Sequence, residues 1–516
     1  MTTAPPAPAR SPARLPADPA PRRWRSAAPV ALALVVALGV AARLHSPSPL
    51  WLDEALSVGI ARRPVPELLQ ALRRDGSPPL YYLLLHAWTG AFGTSDTAVR
   101  ALSAVFSLAC LPLVWLTGRR LGGRCTADAA LLVLAVSPFA VRYATEARMY
   151  ALVQLLVAAG LLALLRALER PSLARLAPVA LVSGLLALTH YWALFALAVA
   201  AGVLALLARR DGDRAAGRTL AALVVGGLLF VPWLPAFAFQ LAHTGAPWAA
   251  PAHLVDVYYS LTAWSGGGSG PAVLLTLVTL GLALLAVAGH AAPGAVVLRR
   301  PLSRPALGLL AASVGPLLLG LVVAILVAGS FSPRYSSVSL VPGVLLVALG
   351  LRALPERGRW AAAALVAVCG LYGSLALLGS TSRTQAAVTA ATLVPGLRAG
   401  DVVAYCPDQL GPAVSRLLPP GTAQVVYPTL APPQLVDWVD YAERSAAASP
   451  AAFARALDAR AGGAVWLVSG AGYRTLEGQC EQVREELEQL RGKGRVLQEE
   501  DPHYDERQDV RRYPAG

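Results

Sequence analysis

Lysine is nearly missing from this chain. Lys493 is the one lysine in 516 residues, although Lys and Arg together number 44. The basic residues are therefore almost all arginine, gathered between apolar runs in stretches such as "GRRLGGR" (118–124) and "ARRDGDRAAGR" (208–218). Charge of either sign is scarce, at 14% of residues, where a soluble domain carries about a quarter. With 56% apolar residues and a mean hydropathy of +0.54, an ordinary soluble domain is excluded. The formal charge of +14 does not argue for a nucleic-acid partner, because membrane topology accounts for where the arginines sit. Five cysteines are too few for a disulfide framework. Cys110, Cys125 and Cys369 lie in or beside apolar runs, whereas Cys406 and Cys480 fall in the polar C-terminal region and can pair if it faces an oxidising compartment. A GxxxxGK[ST] loop, an HExxH helix and paired CxxC motifs are all absent, which removes the usual signatures of a nucleoside-triphosphate site and of zinc.

What the chain has instead is long apolar runs. Many exceed about eighteen residues, enough to cross roughly 30 Å of hydrocarbon as a helix. Placing arginine-rich turns on the cytoplasmic side gives about eleven spans. Residues 1–26 read as a disordered, Pro/Ala/Arg-rich cytoplasmic tail, and the first span covers about 27–44. Residues 45–95 form a first outer loop, in which Val65, Leu68, Leu69 and Leu72 share one face of an interfacial helix. The apolar stretch "PPLYYLLLHAWTGAFG" (78–93) is short for a span, and crossing there would put every later arginine cluster outside, so it reads as membrane-hugging or re-entrant. The membrane domain runs over 27–394. Residues 395–516 change character: "DVVAYCP", "AQVVYP" and "AVWLVSG" read as strands, and "TLEGQCEQVREELEQL" as a helix. The fold class expected is an α-helical polytopic membrane protein with a small extracytoplasmic α/β domain at its C-terminus.

This topology puts Asp53 and Glu54, Glu146 and Arg148, His190 and Tyr191, and Arg334 and Tyr335 on one side of the membrane. Each pair has a plain structural reading. Asp53 and Glu54 can end a helix against Arg62 or Arg63; Arg142, Glu146 and Tyr150 can share a helix face; Arg334 can snorkel to headgroups; His190 and Tyr191 can make a turn. Together they suit another task. A carboxylate at a partly desolvated surface serves as a general base, and arginine forks bind phosphate oxygens. Displacement of a phosphate leaving group at headgroup level needs such positioning and charge. A lipid or polysaccharide transporter is the alternative, although the charged groups lie at span ends rather than at the midplane.

"LWLDEALSVGIA", "DGSPPLYYLLLHAW", "YATEARMYAL", "THYWAL" and "SPRYSSVSLVPGVLLVALG", in this order, resemble the bacterial membrane glycosyltransferases of the protein O-mannosyltransferase-like group (glycosyltransferase family 39, which is related to the lipid A aminoarabinose transferase). The resemblance spans roughly residues 30–355 and implies the GT-C fold, a polyprenyl-phosphate sugar donor, inversion by a single displacement, and an acceptor that is a glycan, lipid or protein. It implies Asp53 as the catalytic Asp and Glu146 as a second acidic position; read with the residues themselves, Asp53 is the expected base, and Glu54 and Glu146 are expected to help place sugar or acceptor. Arg148, Arg334, Tyr335, Tyr81, Tyr82 and His190 would hold the donor. Many relatives have a histidine before the Pro-Pro pair where this chain has Ser77, so the resemblance leaves divalent-metal dependence open and assigns no metal ligand.

Overall fold

The computed structural model describes residues 22–516 apart from 246–249, 299, 328, 330 and 380–382, so most of the expected tail lies outside the described residues. The chain enters through α1 (Arg22–Ala42) and then makes three short helices, α2 (Leu52–Ala61), α3 (Val65–Asp75) and α4 (Leu80–Phe92). The bundle follows as α5 (Asp96–Ala135), α6 (Pro138–Ala144), α7 (Tyr150–Glu169), α8 (Leu173–Ala187), α9 (Trp192–Arg210), α10 (Arg214–Gly226) and α11 (Leu234–His243). It continues as α12 (Val255–Trp264), α13 (Gly270–Ala288), a hairpin of β1 (Gly289–Ala292) and β2 (Ala295–Leu298), α14 (Arg304–Leu326), α15 (Ser337–Arg352) and α16 (Glu356–Leu378).

Every one of the eleven expected spans falls on helix. Among the described residues, eight helical stretches are long and apolar enough to cross a membrane, and α1 and α8 supply shorter apolar lengths. Two expected spans share the 40 residues of α5, which is broken where Gly122 and Gly123 leave helical geometry. Gly123 takes φ 76°, a conformation open to glycine and costly for a residue with a Cβ. Ser95 caps the start of α5 by accepting from the Ala98 amide, and Ser137 caps α6 in the same way with Pro138 at its first position. α4, at 13 residues, is about 20 Å long and too short to span.

α15 is the central helix: 83% of its apolar window is buried, against α5, α7, α13 and α14. Its approach to α13 depends on Gly350, where a Cβ would run into the backbone carbonyl of Leu282. Ion pairs Arg120–Glu169 (2.7 Å), Arg175–Glu169 (3.5 Å) and Arg304–Asp211 (3.6 Å) gather the arginine-rich turns at one end of the bundle. The short helices α2–α4 and the turns at 145–149, 188–191 and 332–336 lie at the other end.

The C-terminal region begins with α17 (Ala386–Leu393) and carries β3 (Val402–Cys406), α18 (Gly411–Ser415), β4 (Ala423–Val426), α19 (Tyr441–Ala446), α20 (Pro450–Arg460), β5 (Val465–Ser469), α21 (Gln479–Arg491), β6 (Arg495–Gln498) and β7 (Asp509–Tyr513). The three expected strands are β3, β4 and β5. The five-stranded sheet has the order β4-β3-β5-β7-β6, with β3 parallel to both neighbours and β7 antiparallel to both of its own. Alternation along the strands divides the side chains between two cores. Val402, Ala404, Val465 and Leu467 pack under α20 and α21 with Phe453 and Leu487, while Val403, Tyr405, Trp466 and Val468 join the large core of the bundle. A disulfide joins Cys406 to Cys480, tying β3 to α21.

Candidate functional site

A cavity of about 830 Å³ opens at the end of the bundle where the short helices, the turns and the C-terminal region meet. Asp53, on the first turn of α2, lines it together with Glu146, Arg148, His190, Arg334 and Tyr335. These groups come from four separate stretches of chain, as the sequence topology anticipates. Arg334 Nη1 donates to Asp53 Oδ2 at 2.6 Å, and Arg148 Nη2 lies 3.9 Å from the same oxygen. The Asp53 side chain keeps 15% of its surface exposed, toward the cavity.

Glu54 is placed elsewhere. It is fully buried and forms a two-point pair with Arg100, whose Nε and Nη2 donate at 2.8 and 2.6 Å. Glu54 also accepts from the Ala147 amide at 2.8 Å, and Arg383 stands 3.8 Å away. Arg100 in turn donates to the carbonyls of Ser48 (2.6 Å) and Pro49 (3.1 Å). This knot fixes the start of α2 against the 145–149 turn, so Glu54 positions Asp53 rather than meeting anything in the cavity. The two adjacent carboxylates at the start of α2 therefore part ways, one to the cavity and one to the core, as a helix requires of consecutive residues. Neither pairs with Arg62 or Arg63, and Arg63 lies beside Glu67 instead (3.7 Å).

The stretch 141–150 is not one helix. α6 stops at Ala144, and α7 starts at Tyr150. Arg142 still reaches Glu146 (3.2 Å), but the break turns Arg148 inward, where its Nη1 donates to Ser57 Oγ (3.1 Å) and the Tyr82 hydroxyl (3.2 Å). Tyr82 thus supports Arg148 from behind; its hydroxyl also reaches Asp75 Oδ2 at 3.3 Å. Tyr81 is fully buried and does not line the cavity, which corrects its expected place among the donor-binding residues. His190 sits between the rings of Tyr150 and Tyr335, 5.7 and 5.4 Å away. Burial, with the nearby Arg148 and Arg334 charges, pushes its imidazole down to about 3, so at neutral pH it offers a neutral ring and no cation for a phosphate.

The C-terminal region supplies groups that the sequence did not single out: Gln409, Trp438, Tyr473 and Glu506 all line the cavity. Glu506 Oε1 accepts from the Leu52 amide at 2.7 Å, at the N-terminus of α2. Burial pushes the Glu506 carboxyl up to about 8; the Thr384 hydroxyl and the Leu52 amide oppose the rise, and the Asp53 and Glu54 charges add to it. No sequence signal marks Glu506, which lies in the polar stretch "DPHYDERQDV" (501–510).

Among the described residues, no cluster of three or more His, Cys, Asp or Glu is placed to hold a metal ion. The carboxylates of Asp53 and Glu146 face arginines.

The chain's architecture has counterparts among solved structures. ArnT from Cupriavidus metallidurans in the apo state matches at a TM-score of 0.64 over 95% of this chain and 98% of that one, at 14% identity. It has the GT-C fold. The same protein bound to undecaprenyl phosphate matches at 0.60 over 96% and 98%, also at 14% identity. The Archaeoglobus fulgidus oligosaccharyltransferase tethered with an acceptor peptide matches at 0.50 over 96% and 74%, at 10% identity. Residues 76–237, less than half of the chain, match the family described as dolichyl-phosphate-mannose-protein mannosyltransferase. No curated protein sequence matches. Within this GT-C frame the cavity is bounded by the α2–α4 segment and by connecting segments of the C-terminal region.

Proposed function

We propose that this chain is a membrane glycosyltransferase that moves a sugar, mannose or a related one, from a polyprenyl phosphate to an acceptor hydroxyl at the outer face of the membrane. One observation carries the reading: the Asp53 carboxylate and the Arg148 and Arg334 guanidinium groups converge on a single cavity wall at one end of the bundle. The solved ArnT with undecaprenyl phosphate and the matched mannosyltransferase family support a lipid-linked donor.

The chemistry follows from the placement. The donor phosphate binds to Arg334 and Arg148, drawing Arg334 away from Asp53 and leaving that carboxylate free to accept a proton. The acceptor oxygen attacks the anomeric carbon from the face opposite the phosphate and forms the new C–O bond. The old bond to the phosphate oxygen breaks, and its electron pair leaves with the polyprenyl phosphate, neutralised by the two arginines. The acceptor proton passes to Asp53. Glu146, held by Arg142, orients the sugar or the acceptor, and Tyr335 lines the wall beside Arg334.

The test incubates membranes containing the chain with radiolabelled polyprenyl-phosphate mannose and, separately, its aminoarabinose counterpart, with and without EDTA. Label moving from lipid to an acceptor fraction in wild-type membranes, and not with Asp53→Asn, supports the reading. Retention of all label on the lipid with both donors overturns it, and the EDTA arm reads whether transfer depends on a divalent cation.

A further inference from the structure

Apart from the arginines, three residues lining the cavity carry a buried side-chain polar atom that makes no hydrogen bond: Trp51 Nε1, Gln409 Oε1 and Glu506 Oε2. Gln409 is 1% exposed and Glu506 is 7% exposed. Each buried orphan costs roughly 1–3 kcal/mol, and such groups are paired in all but a few instances per protein. Glu506 is bonded to the amide of Leu52, the residue after Trp51, and a side chain at Gly470 would meet both Leu410 and Arg507, so the segments that carry Gln409 and Glu506 run close together there. Trp438 and Tyr473 add aromatic rings to this part of the cavity.

The three orphans differ in what they require. Trp51 Nε1 needs an acceptor and Gln409 Oε1 needs a donor. An ammonium group cannot accept from Trp51, and a carboxylate or phosphate cannot give to Gln409. A hydroxyl does both, and a ring bearing several hydroxyls meets all three atoms while laying its C–H face on an aromatic side chain. We infer that Trp51, Gln409 and Glu506 form the acceptor subsite and that the acceptor it takes is a carbohydrate presenting adjacent hydroxyls. With the Glu506 carboxyl pushed up to about 8, Oε2 carries a proton at neutral pH and can itself both give and receive. The subsite rests on the reaction proposed above. It adds that the acceptor is recognised by its hydroxyls, through residues of the C-terminal region, apart from the phosphate clamp.

The experiment uses the full chain in nanodiscs and methyl α-mannopyranoside as the probe, followed by saturation-transfer NMR. Saturation of the glycoside ring protons is expected with wild type. Affinity should fall about fivefold to tenfold in Gln409→Met and in Trp51→Phe, each of which deletes one polar atom and keeps the shape. Equal saturation in wild type and both variants, or none in wild type at the highest soluble glycoside concentration, overturns the subsite. Undecaprenyl phosphate is titrated into the same samples with thermal unfolding as the readout. If it stabilises wild type and variants alike while glycoside binding fails the test, the reaction stands and the subsite falls. If it fails to stabilise wild type, the lipid-donor reading falls on its own evidence.

Discussion

Asp53 and Glu54 are adjacent carboxylates with opposite environments, and substituting each by its amide should separate chemistry from folding. Glu54 is fully buried and its partner Arg100 retains 7% side-chain exposure, so Glu54→Gln leaves a guanidinium in the core without its counter-charge. Removing one partner of such a pair costs about 3–5 kcal/mol, a large share of the roughly 5–15 kcal/mol that holds a fold together. Asp53 faces the cavity, and an asparagine there can still accept from Arg334, so Asp53→Asn changes stability by only about 1 kcal/mol. Its loss as a base, however, lowers turnover roughly 10²- to 10⁴-fold. The assay pairs thermal unfolding of purified protein with initial rates of label transfer from the polyprenyl-phosphate sugar. Glu54→Gln should unfold many degrees early, and its remaining folded fraction should lose far less turnover than Asp53→Asn does. Asp53→Asn should unfold near wild type and scarcely turn over. A Glu54→Gln protein with the wild-type midpoint and no turnover would show that Glu54 belongs to the chemistry and that the reasoning from burial is wrong.

Three further outcomes are expected. Arg334→Lys keeps the charge and loses the planar fork, so KM for the lipid donor should rise about tenfold or more; an unchanged KM removes Arg334 from the phosphate clamp. Glu506 is an acid whose folded value, about 8, stands above the ordinary glutamate value of 4.5, so it binds its proton more tightly folded than unfolded. Its stabilising contribution is present in acid and is lost as pH rises through about 8, so the thermal midpoint should fall over that window in wild type and fall less in Glu506→Gln; parallel pH profiles refute this. Gly350→Ala forces a methyl into the Leu282 carbonyl and should cost about 1–3 kcal/mol as α13 and α15 separate; an unchanged midpoint would mean that the helices do not meet there.

The spans were legible because each is long and uniformly apolar, and the arginine turns because their charge is all on one side of the topology. β3, β4 and β5 were legible from their β-branched runs. β6 ("RVLQ") and β7 ("DVRRY") were not, because charge interrupts their alternation and tertiary pairing overrides weak propensity. The gathering of Asp53, Glu146, Arg148 and Arg334 followed from topology, since turns on one leaflet can converge. Their division of labour did not follow. Whether Asp53 or Glu54 faces the cavity depends on the rotation of α2, and that rotation is fixed by Arg100 from α5 and by the Glu506 bond to Leu52, both distant in sequence. The helix break after Ala144 was likewise hidden, because residues 141–150 have reasonable helical spacing on their own.

One face of the C-terminal sheet is packed into the same core as the membrane helices, and Glu506, in the loop before β7, holds the amide at the start of the helix that bears Asp53. The C-terminal region is thus a wall of the cavity rather than an attachment beside it. Exchanging this region for that of another GT-C protein, as a way to redirect acceptor choice, would disturb the seating of Asp53 at the same time. Altered specificity in this architecture is better sought by changing single residues on the wall than by swapping the module that carries them.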